Sequence, residues 1–187
     1  DDVVFIHGNR DFLISDTFLD SFGIRLVAHY MDDAILVIHG DELCTSDHAY
    51  QAFKLEVRQP SWIDAFLTKP LIERQTIAQE LRRASRETQA NRAEAIGDAV
   101  DTAVEGLMEN QHASVLIHGH THRPAIHYAE GNLRAVTSDW THSGLGVVID
   151  STQSELIVGL THLSAQGAVI KEQWVCQAGT PEWNRNS

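Results

Sequence analysis

The chain has 187 residues, of which 43% are hydrophobic, so it can form one domain with a sizeable core. Its formal charge of -12 argues against a nucleic-acid partner, because contacts to phosphates need a basic surface. No apolar run approaches the roughly 20 residues of a membrane-spanning helix. Cys44 and Cys176 are too few for a disulfide framework, which favours a reducing compartment.

Three short apolar runs, at residues 3–6, 35–38 and 114–117, predict buried strands. Each is followed by histidine, glycine and a polar residue: His7-Gly8-Asn9, His39-Gly40-Asp41 and His118-Gly119-His120. In open α/β sheets, ligands bind at the carboxyl ends of the strands. We therefore expect the three strand ends to meet at one site.

Residues 46–110 contain few glycines, and their apolar residues recur at helical spacing, as in Ile77, Leu81 and then Ile96, Val100, Val104, Leu107. An amphipathic piece at 62–67 lies between two prolines and predicts a lid. Residues 51–92 carry eight basic and five acidic side chains, so this part is +3 and the rest of the chain is -15. The basic surplus indicates either an anion-binding or membrane-facing surface, or a solvated face with Glu–Arg pairs.

Four later runs, at 125–128, 133–136, 146–149 and 155–158, predict strands of a second, antiparallel sheet. Residues 164–187 contain one strand-like run around Val169 and carry no evident chemistry. We therefore predict a core formed by residues 1–45 and 111–163, a helical lid insertion at 46–110 and a C-terminal tail at 164–187.

The segment Gly119-His120-Thr121-His122 places two imidazoles two residues apart, so in an extended stretch both emerge on one side. Imidazole nitrogens and the Asn9 oxygen are a mixed donor set that favours Mn, Fe or Zn. A single His-x-His is a weak signal, and the other two motifs strengthen it.

The motifs Gly8-Asn9-Arg10-Asp11, His39-Gly40-Asp41 and Gly119-His120-Thr121-His122 resemble, in this order, the last three of the five metal-site blocks of the calcineurin-like metallophosphoesterases. The resemblance implies an α/β fold, a metallophosphoesterase-type β-sandwich flanked by helices. It also implies that Asn9, His39 and His120 bind one metal ion and that His122 binds a second. Asp41 has the chemistry of a ligand, but the resemblance gives that role to His39.

The first two blocks of that family, Asp-x-His and Gly-Asp, do not precede these motifs, and only two residues precede the first strand. A parallel strand normally follows a crossover connection, so we expect the chain to be truncated at its N-terminus. The absent blocks hold the bridging carboxylate that keeps two ions about 3.5–4 Å apart. We expect two Mn²⁺ in a full-length chain and at most one, weakly bound, in these 187 residues.

A closer resemblance, through residues 6–13, 39–53 and 117–124, is to the UDP-2,3-diacylglucosamine diphosphatases of lipid A biosynthesis, which carry arginine after the asparagine, as Arg10 does here. It implies hydrolysis of UDP-2,3-diacylglucosamine at the cytoplasmic face of the bacterial inner membrane, with the helical insertion cradling the acyl chains. Asn9, Arg10 and His120 would act in catalysis. The implied substrate contacts are Asn9, Arg10, Asp47, Ser85, Gln89, Arg92 and His120, of which Gln89 and Arg92 replace a frequent Asn and Lys.

Two other functions remain open from the sequence. One is a metallophosphoesterase for soluble nucleotides, which would have a polar rather than an apolar lid interior. The other is a non-catalytic binding module with a partial metal site. Individual residues also have simpler interpretations: Arg10 would pair with Asp11 on the surface, and Ser85, Gln89 and Arg92 would be exposed on a helix. We expect His7 and His118 to be structural, donating to backbone carbonyls.

Overall fold

The computed structural model describes residues 2–91, 94–178, 180 and 182–186. The strands, in chain order, are β1 (Val3–Ile6), β2 (Ile24–Val27), β3 (Tyr30–Asp32), β4 (Ile35–Ile38), β5 (Val115–His118), β6 (Ala125–Ala129), β7 (Asn132–Val136), β8 (Ser143–Ser151), β9 (Glu155–Ser164), β10 (Gly167–Gln177) and β11 (Trp183–Asn186). The helices are α1 (Asp16–Asp20), α2 (His48–Val57), α3 (Pro60–Leu67), α4 (Leu71–Asn91) and α5 (Asp101–Gln111). Short 3-10 turns occupy Asp41–Leu43 and Glu94–Gly97.

A five-stranded sheet in the order β3-β4-β5-β7-β6 positions two of the histidine motifs. Strands β4 and β5 are parallel neighbours, with Ile38 opposite His118, so the turns that follow them leave the sheet side by side. Strand β1 instead pairs with β2 in a separate two-stranded parallel sheet. The third motif therefore reaches the others by packing rather than through a shared strand ladder.

The second sheet is antiparallel, in the order β11-β10-β9-β8. The predicted antiparallel sheet is thus correct for residues 146–149 and 155–158 and wrong for 125–128 and 133–136, which become β6 and β7 of the first sheet. Strand β7 pairs in parallel with β5, with Leu116 opposite Arg134. Strands β6 and β7 pair with each other as an antiparallel hairpin, but hairpin pairing is local and does not determine which sheet the hairpin extends.

The main core lies between the two sheets, where Val115, Ile117 and Leu133 of the first sheet contact Val158 and Leu160 of the second. The opposite face of the first sheet is covered by α5, through a cluster of Leu36, Ile38, Leu43, Val104, Met108, Ala113 and Leu116. Successive residues of a strand point to opposite faces, so β5 serves both layers. The α/β sandwich flanked by helices is confirmed.

The predicted helical region contains α2 to α5, and α3 begins at Pro60, a position where proline suits a helix start. Helix α5 begins at Asp101, after Val100. The helical spacing that started at Ile96 therefore begins too early, because Glu94 to Gly97 form a 3-10 turn. The side chains of α5 contact the sheet, whereas α4 has no buried side chain among those described. The outer helices are therefore α2, α3 and α4.

The segment from residue 164 onward, predicted as a tail, contributes β10 and β11 to the second sheet. Trp183 of β11 is 7% exposed and belongs to the core between the sheets. Strand β11 has only four residues, of which one is apolar, so the sequence does not distinguish it from a polar tail.

We expect Trp183→Ala to lower the free energy of unfolding by about 3–5 kcal/mol, the usual cost of removing a large buried aromatic side chain. The matched control is Trp140→Ala, since Trp140 is 61% exposed. Urea denaturation of both variants would measure the difference. Equal losses would show that β11 contributes no more to the core than a surface tryptophan does.

Candidate metal and substrate site

His39 and His120 meet where β4 and β5 end. Nδ1 of His120 lies 3.2 Å from Nε2 of His39, and the two rings are 5.0 Å apart in an edge-to-face arrangement. Both side chains are partly buried. The structure therefore brings together two of the predicted metal ligands.

Two glycines allow this close approach. Gly40 has φ 104, and a Cβ there would lie 2.8 Å from Nδ1 of His118, so both its conformation and its neighbour require glycine. A Cβ on Gly8 would lie 3.0 Å from Cε1 of His39. The turn after β1 thus packs directly against His39, and all three strand ends meet as predicted.

The histidine turn after β5 is not extended. His120 has φ 62 and His122 has φ 55, both in the left-handed region that non-glycine residues rarely adopt. The expectation of an extended stretch was wrong, because Gly119 and the residues after it form a tight turn, yet His122 still lies close enough to His120 to lower the pKa of its ring. His120 is partly buried, whereas His122 is exposed.

Burial lowers the pKa of both converging histidines. The pKa of His120 falls to about 4, by desolvation and by the neighbouring His39 ring, and the pKa of His39 is also lowered by burial. Both rings are therefore neutral at pH 7, which is the form that binds metal ions. This electrostatic environment suits a metal site.

The separation of the rings also fits a shared ion. Two nitrogens that each bond a metal at about 2.0–2.1 Å can lie 3.2 Å apart. Asn9 lines the same cavity as His120 and offers an amide oxygen. Within residues 2–91, 94–178, 180 and 182–186, no group of three or more His, Cys, Asp or Glu is placed to hold a metal ion. Among the described residues, two imidazoles and one amide oxygen are the candidate donors that lie near one another at this end of the cavity.

Asp41, which looked like a ligand in the motif, makes a different set of contacts. The Asp41 side chain is 3% exposed. Its carboxylate lies 2.9 Å from Nζ of Lys54 and accepts a hydrogen bond of 2.8 Å from the Tyr50 hydroxyl. Burial alone would raise the pKa of Asp41, but the hydrogen bonds from Lys54 and Tyr50 hold it well below its usual value. Asp41 is thus an anion neutralised within the protein.

The ion cluster around Asp41 connects helix α2 to the turns that follow β1 and β4. Arg58 lies 3.5 Å from the Asp41 carboxylate and donates to the Gly8 carbonyl at 3.1 Å, which ties α2 to the turn after β1. Tyr50, also on α2, places its ring 5.4 Å from that of His120. The position of α2 is therefore set by the same contacts that hold the turns.

A cavity of about 350 Å³ opens over His120 and extends beneath the outer helices. Its polar lining residues are Asn9, Arg10, Asp47, Tyr50, Arg82, Ser85 and His120. Its apolar lining includes Phe12, Leu13, Phe53, Trp62, Phe66 and Leu81. One cavity therefore runs from the predicted metal ligands to an apolar region.

Five of the seven predicted substrate contacts line this cavity: Asn9, Arg10, Asp47, Ser85 and His120. The side chain of Gln89 and the whole of Arg92 lie outside the described residues. Sequence reasoning gave no role to Phe12, Tyr50, Phe53 or Arg82. Asp47, Tyr50 and Phe53 follow one another at steps of three residues, a spacing that could have indicated the inner face of α2.

Several simpler interpretations are also decided by contacts. His7 Nε2 donates to the Ile14 carbonyl at 2.8 Å, and His118 Nδ1 lies 3.0 Å from the Gly119 carbonyl, which confirms both as structural. Asp11 accepts a hydrogen bond from the Gly8 amide at 2.5 Å, and no ion pair between Arg10 and Asp11 occurs in the described structure. Asp47 caps α2 by accepting from the Tyr50 amide at 3.2 Å.

Sequence comparison finds curated relatives that are UDP-2,3-diacylglucosamine hydrolases. Three of them come from Escherichia coli O1:K1 / APEC, O9:H4 (strain HS) and strain K12 / DH10B. Each is 40% identical over 162 residues, which cover 82% of this chain and 68% of the relative. No family model matches the chain.

We expect the metal-free protein to lose stability as the pH falls. Burial lowers the pKa of His118 to about 4 from 6.5, so between these values the unfolded state binds more protons and folding is disfavoured. From pH 7 to pH 5 the shift of His118 lowers the free energy of unfolding by about 2 kcal/mol, and the shift of His120 lowers it further. Unfolding in urea at several pH values would measure the slope.

In the variant His118→Gln, the free energy of unfolding should fall less between pH 7 and pH 5, because the contribution of His118 is gone. The control His29→Gln, at an exposed position, should keep the full decrease. If the His118→Gln variant had the same slope as the unmodified chain, His118 would not be a neutral, desolvated group.

Proposed function

Because this chain belongs to the UDP-2,3-diacylglucosamine hydrolase family, we propose that it hydrolyses the pyrophosphate bond of UDP-2,3-diacylglucosamine, giving 2,3-diacylglucosamine 1-phosphate and UMP. The observation that carries the proposal is the single cavity that joins Asn9, Arg10 and His120 to an apolar region under α3 and α4. A diphosphate and two acyl chains require these two environments side by side.

The apolar region is built from aromatic side chains. Trp62 and Phe66 stack with their ring centres 5.0 Å apart, and Phe12 approaches Trp62 at 6.4 Å. Phe66 is 8% exposed, so these rings face inward rather than toward solvent. Each methylene of an acyl chain transferred into such a region contributes about 0.8 kcal/mol.

This lining favours an acylated substrate over the alternatives. A metallophosphoesterase for soluble nucleotides would need hydrogen-bonding groups beneath its helices, where this cavity has Phe53, Trp62 and Phe66. The neutral imidazoles at the polar end would suit a binding module with a partial metal site equally well, and the kinship with hydrolases is what favours an enzyme over such a module. We therefore place the diphosphate at Arg10 and His120 and the acyl chains under α3 and α4.

At the polar end, we propose that Asn9, His39 and His120 hold one Mn²⁺ and that His122 contributes to the second. Bound metal ions would lower the pKa of water and neutralise phosphate oxygens. Arg10 and Arg82 line the cavity with positive charge, which suits a diphosphate, and we assign Arg10 the role of stabilising charge that develops on the phosphate. Asp47, Ser85, Gln89 and Arg92 are proposed as further substrate contacts.

We also propose that α3 and α4 act as a lid that rests on the cytoplasmic face of the bacterial inner membrane. In the described residues, no helix is long and apolar enough to cross a membrane. At the junction of α3 and α4, Leu67, Leu71 and Ile72 are 45%, 62% and 72% exposed. Lys69 and Arg74 lie in the same stretch with Glu73, which pairs with Lys69, so the stretch carries a net charge of +1, and one basic residue near an anionic surface contributes about 1 kcal/mol of attraction.

The double variant Trp62→Ser/Phe66→Ser, in the complete gene product, should lower kcat/KM for UDP-2,3-diacylglucosamine by about 10²-fold or more, because acyl burial is lost. Hydrolysis of a small chromogenic phosphodiester should change little. The matched control is Phe22→Ser, since Phe22 is 67% exposed and does not line the cavity. Equal losses on both substrates would assign these rings to the fold and not to acyl recognition.

Arg10→Ala in the complete gene product should lower kcat by about 10²-fold, since a charge stabiliser acts mainly on the transition state. The content of bound Mn²⁺ after dialysis should be unchanged. Arg25→Ala, an exposed arginine on β2, serves as the control. Unchanged turnover for Arg10→Ala would return Arg10 to a surface role.

Leu71→Ser/Ile72→Ser should weaken binding to vesicles that contain anionic lipids by about fivefold or more, because exposed apolar side chains supply the membrane contact. Binding of the unmodified protein should also weaken with salt, as charges are screened. Leu55→Ser, at a 68% exposed position of α2, is the control. If all three proteins bound vesicles equally, this surface would not be the membrane contact.

A further inference from the structure

Behind the site, away from the cavity, Arg134 of β7 reaches the buried ring of His118. Nη1 of Arg134 lies 3.3 Å from Nε2 of His118, whose side chain is 1% exposed. An arginine N–H only donates, so Nε2 must accept, and the ring proton must be on Nδ1. That nitrogen lies 3.0 Å from the Gly119 carbonyl. The Arg134 N–H and the Gly119 carbonyl thus favour the same tautomer, in which His118 donates to Gly119.

Gly119 is the first residue of the histidine turn, residues 119–122. Its carbonyl also accepts from the Thr121 amide at 2.7 Å, and its amide donates to the His39 carbonyl at 3.0 Å. The following residue, His120, has φ 62, in the left-handed region that a non-glycine residue rarely adopts. Such a backbone persists only where surrounding contacts hold it.

The register of the sheet explains why Arg134 reaches His118. His118 is opposite Val136 and Leu116 is opposite Arg134, so Arg134 lies two residue pairs behind His118, on the face that α5 covers. Asp98, just before α5, is close enough to act electrostatically on Arg134 and pairs with Arg123 at the far end of the histidine turn. Both ends of the turn are therefore linked to the same acidic residue.

We infer that Arg134 is a positioning residue: through the buried ring of His118 it holds the Gly119 peptide in the orientation that presents His120 to the cavity. Neither Arg134 nor His118 lines the cavity. The rival explanation is that Arg134 only fills the face of the sheet between β5 and α5.

The first test does not depend on the proposed function. Long-range ¹H–¹⁵N NMR of the metal-free, histidine-labelled protein reports which ring nitrogen carries the proton. We expect His118 to be the Nδ1–H tautomer in the complete gene product and a mixture of tautomers in Arg134→Met. An Nε2–H tautomer in the unmodified protein would overturn the inference.

The second test rests on the proposed hydrolysis. Arg134→Met should lower kcat about tenfold or more with KM changed less than twofold, and Arg134→Lys should recover part of the loss. Arg185→Met removes another arginine, which pairs with Glu172 at 3.1 Å in the second sheet, and should keep kcat.

A double-mutant cycle separates positioning from a general loss of structure. If Arg134 acts through His118, then His118→Gln/Arg134→Met should cost no more than the worse single variant. Losses in kcat that multiply, or equal kcat for Arg134→Met and Arg185→Met, would contradict the inference. If neither the unmodified protein nor any variant hydrolysed the substrate, the proposed function would fail, while the tautomer measurement would still decide the role of Arg134.

Discussion

A carboxylate taken out of water loses several kcal/mol of hydration unless cations and hydrogen-bond donors replace it. Asp41, 2% exposed, meets this requirement with Lys54, Tyr50 and Arg58, which come from α2 and the residue that ends it. Removing any of these donors would leave a buried charge partly unpaired. The position of α2 over the strand ends is therefore strongly constrained by the residue two places after His39.

The same constraint extends to the substrate cavity. Tyr50 and Phe53 line it from α2, and Arg58 reaches across to the Gly8 carbonyl beside Asn9. Helix α4, by contrast, has no buried side chain among those described. A volume of about 350 Å³ is near the lower end of ordinary ligand pockets, which run from about 300 to 1,000 Å³.

Much of the fold could be predicted because its signals are local. β-Branched runs followed by His-Gly predicted β1, β4 and β5, the last of them one residue early, and the amphipathic piece at 62–67 lies within α3. The assignment of β6 and β7 to a sheet could not be predicted, since it depends on the long-range pairing of β7 with β5. The left-handed conformation of His120 and His122 was also missed, because it results from the contacts around Gly119.

The candidate site divides in a similar way. The resemblance to the metallophosphoesterases pointed to Asn9, His39 and His120, which the structure brings to one place. It could not show that the carboxylate of Asp41 is neutralised by α2, or that Arg134 lies behind the histidine turn, because both partners are distant in sequence. The lid was predicted from composition, but only packing shows that Trp62 and Phe66 face the cavity while Leu71 and Ile72 face solvent.

The proposed function depends on one cavity that matches a diphosphate at its polar end and acyl chains at its apolar end. The decisive experiment is to measure UMP release by the complete gene product, with Mn²⁺ present, from UDP-2,3-diacylglucosamine and from the unacylated UDP-glucosamine. We predict kcat/KM higher by about 10³-fold or more for the diacylated substrate, since the burial of even a few methylenes contributes that much. Equal values for the two substrates would show that the apolar end of the cavity does not recognise acyl chains.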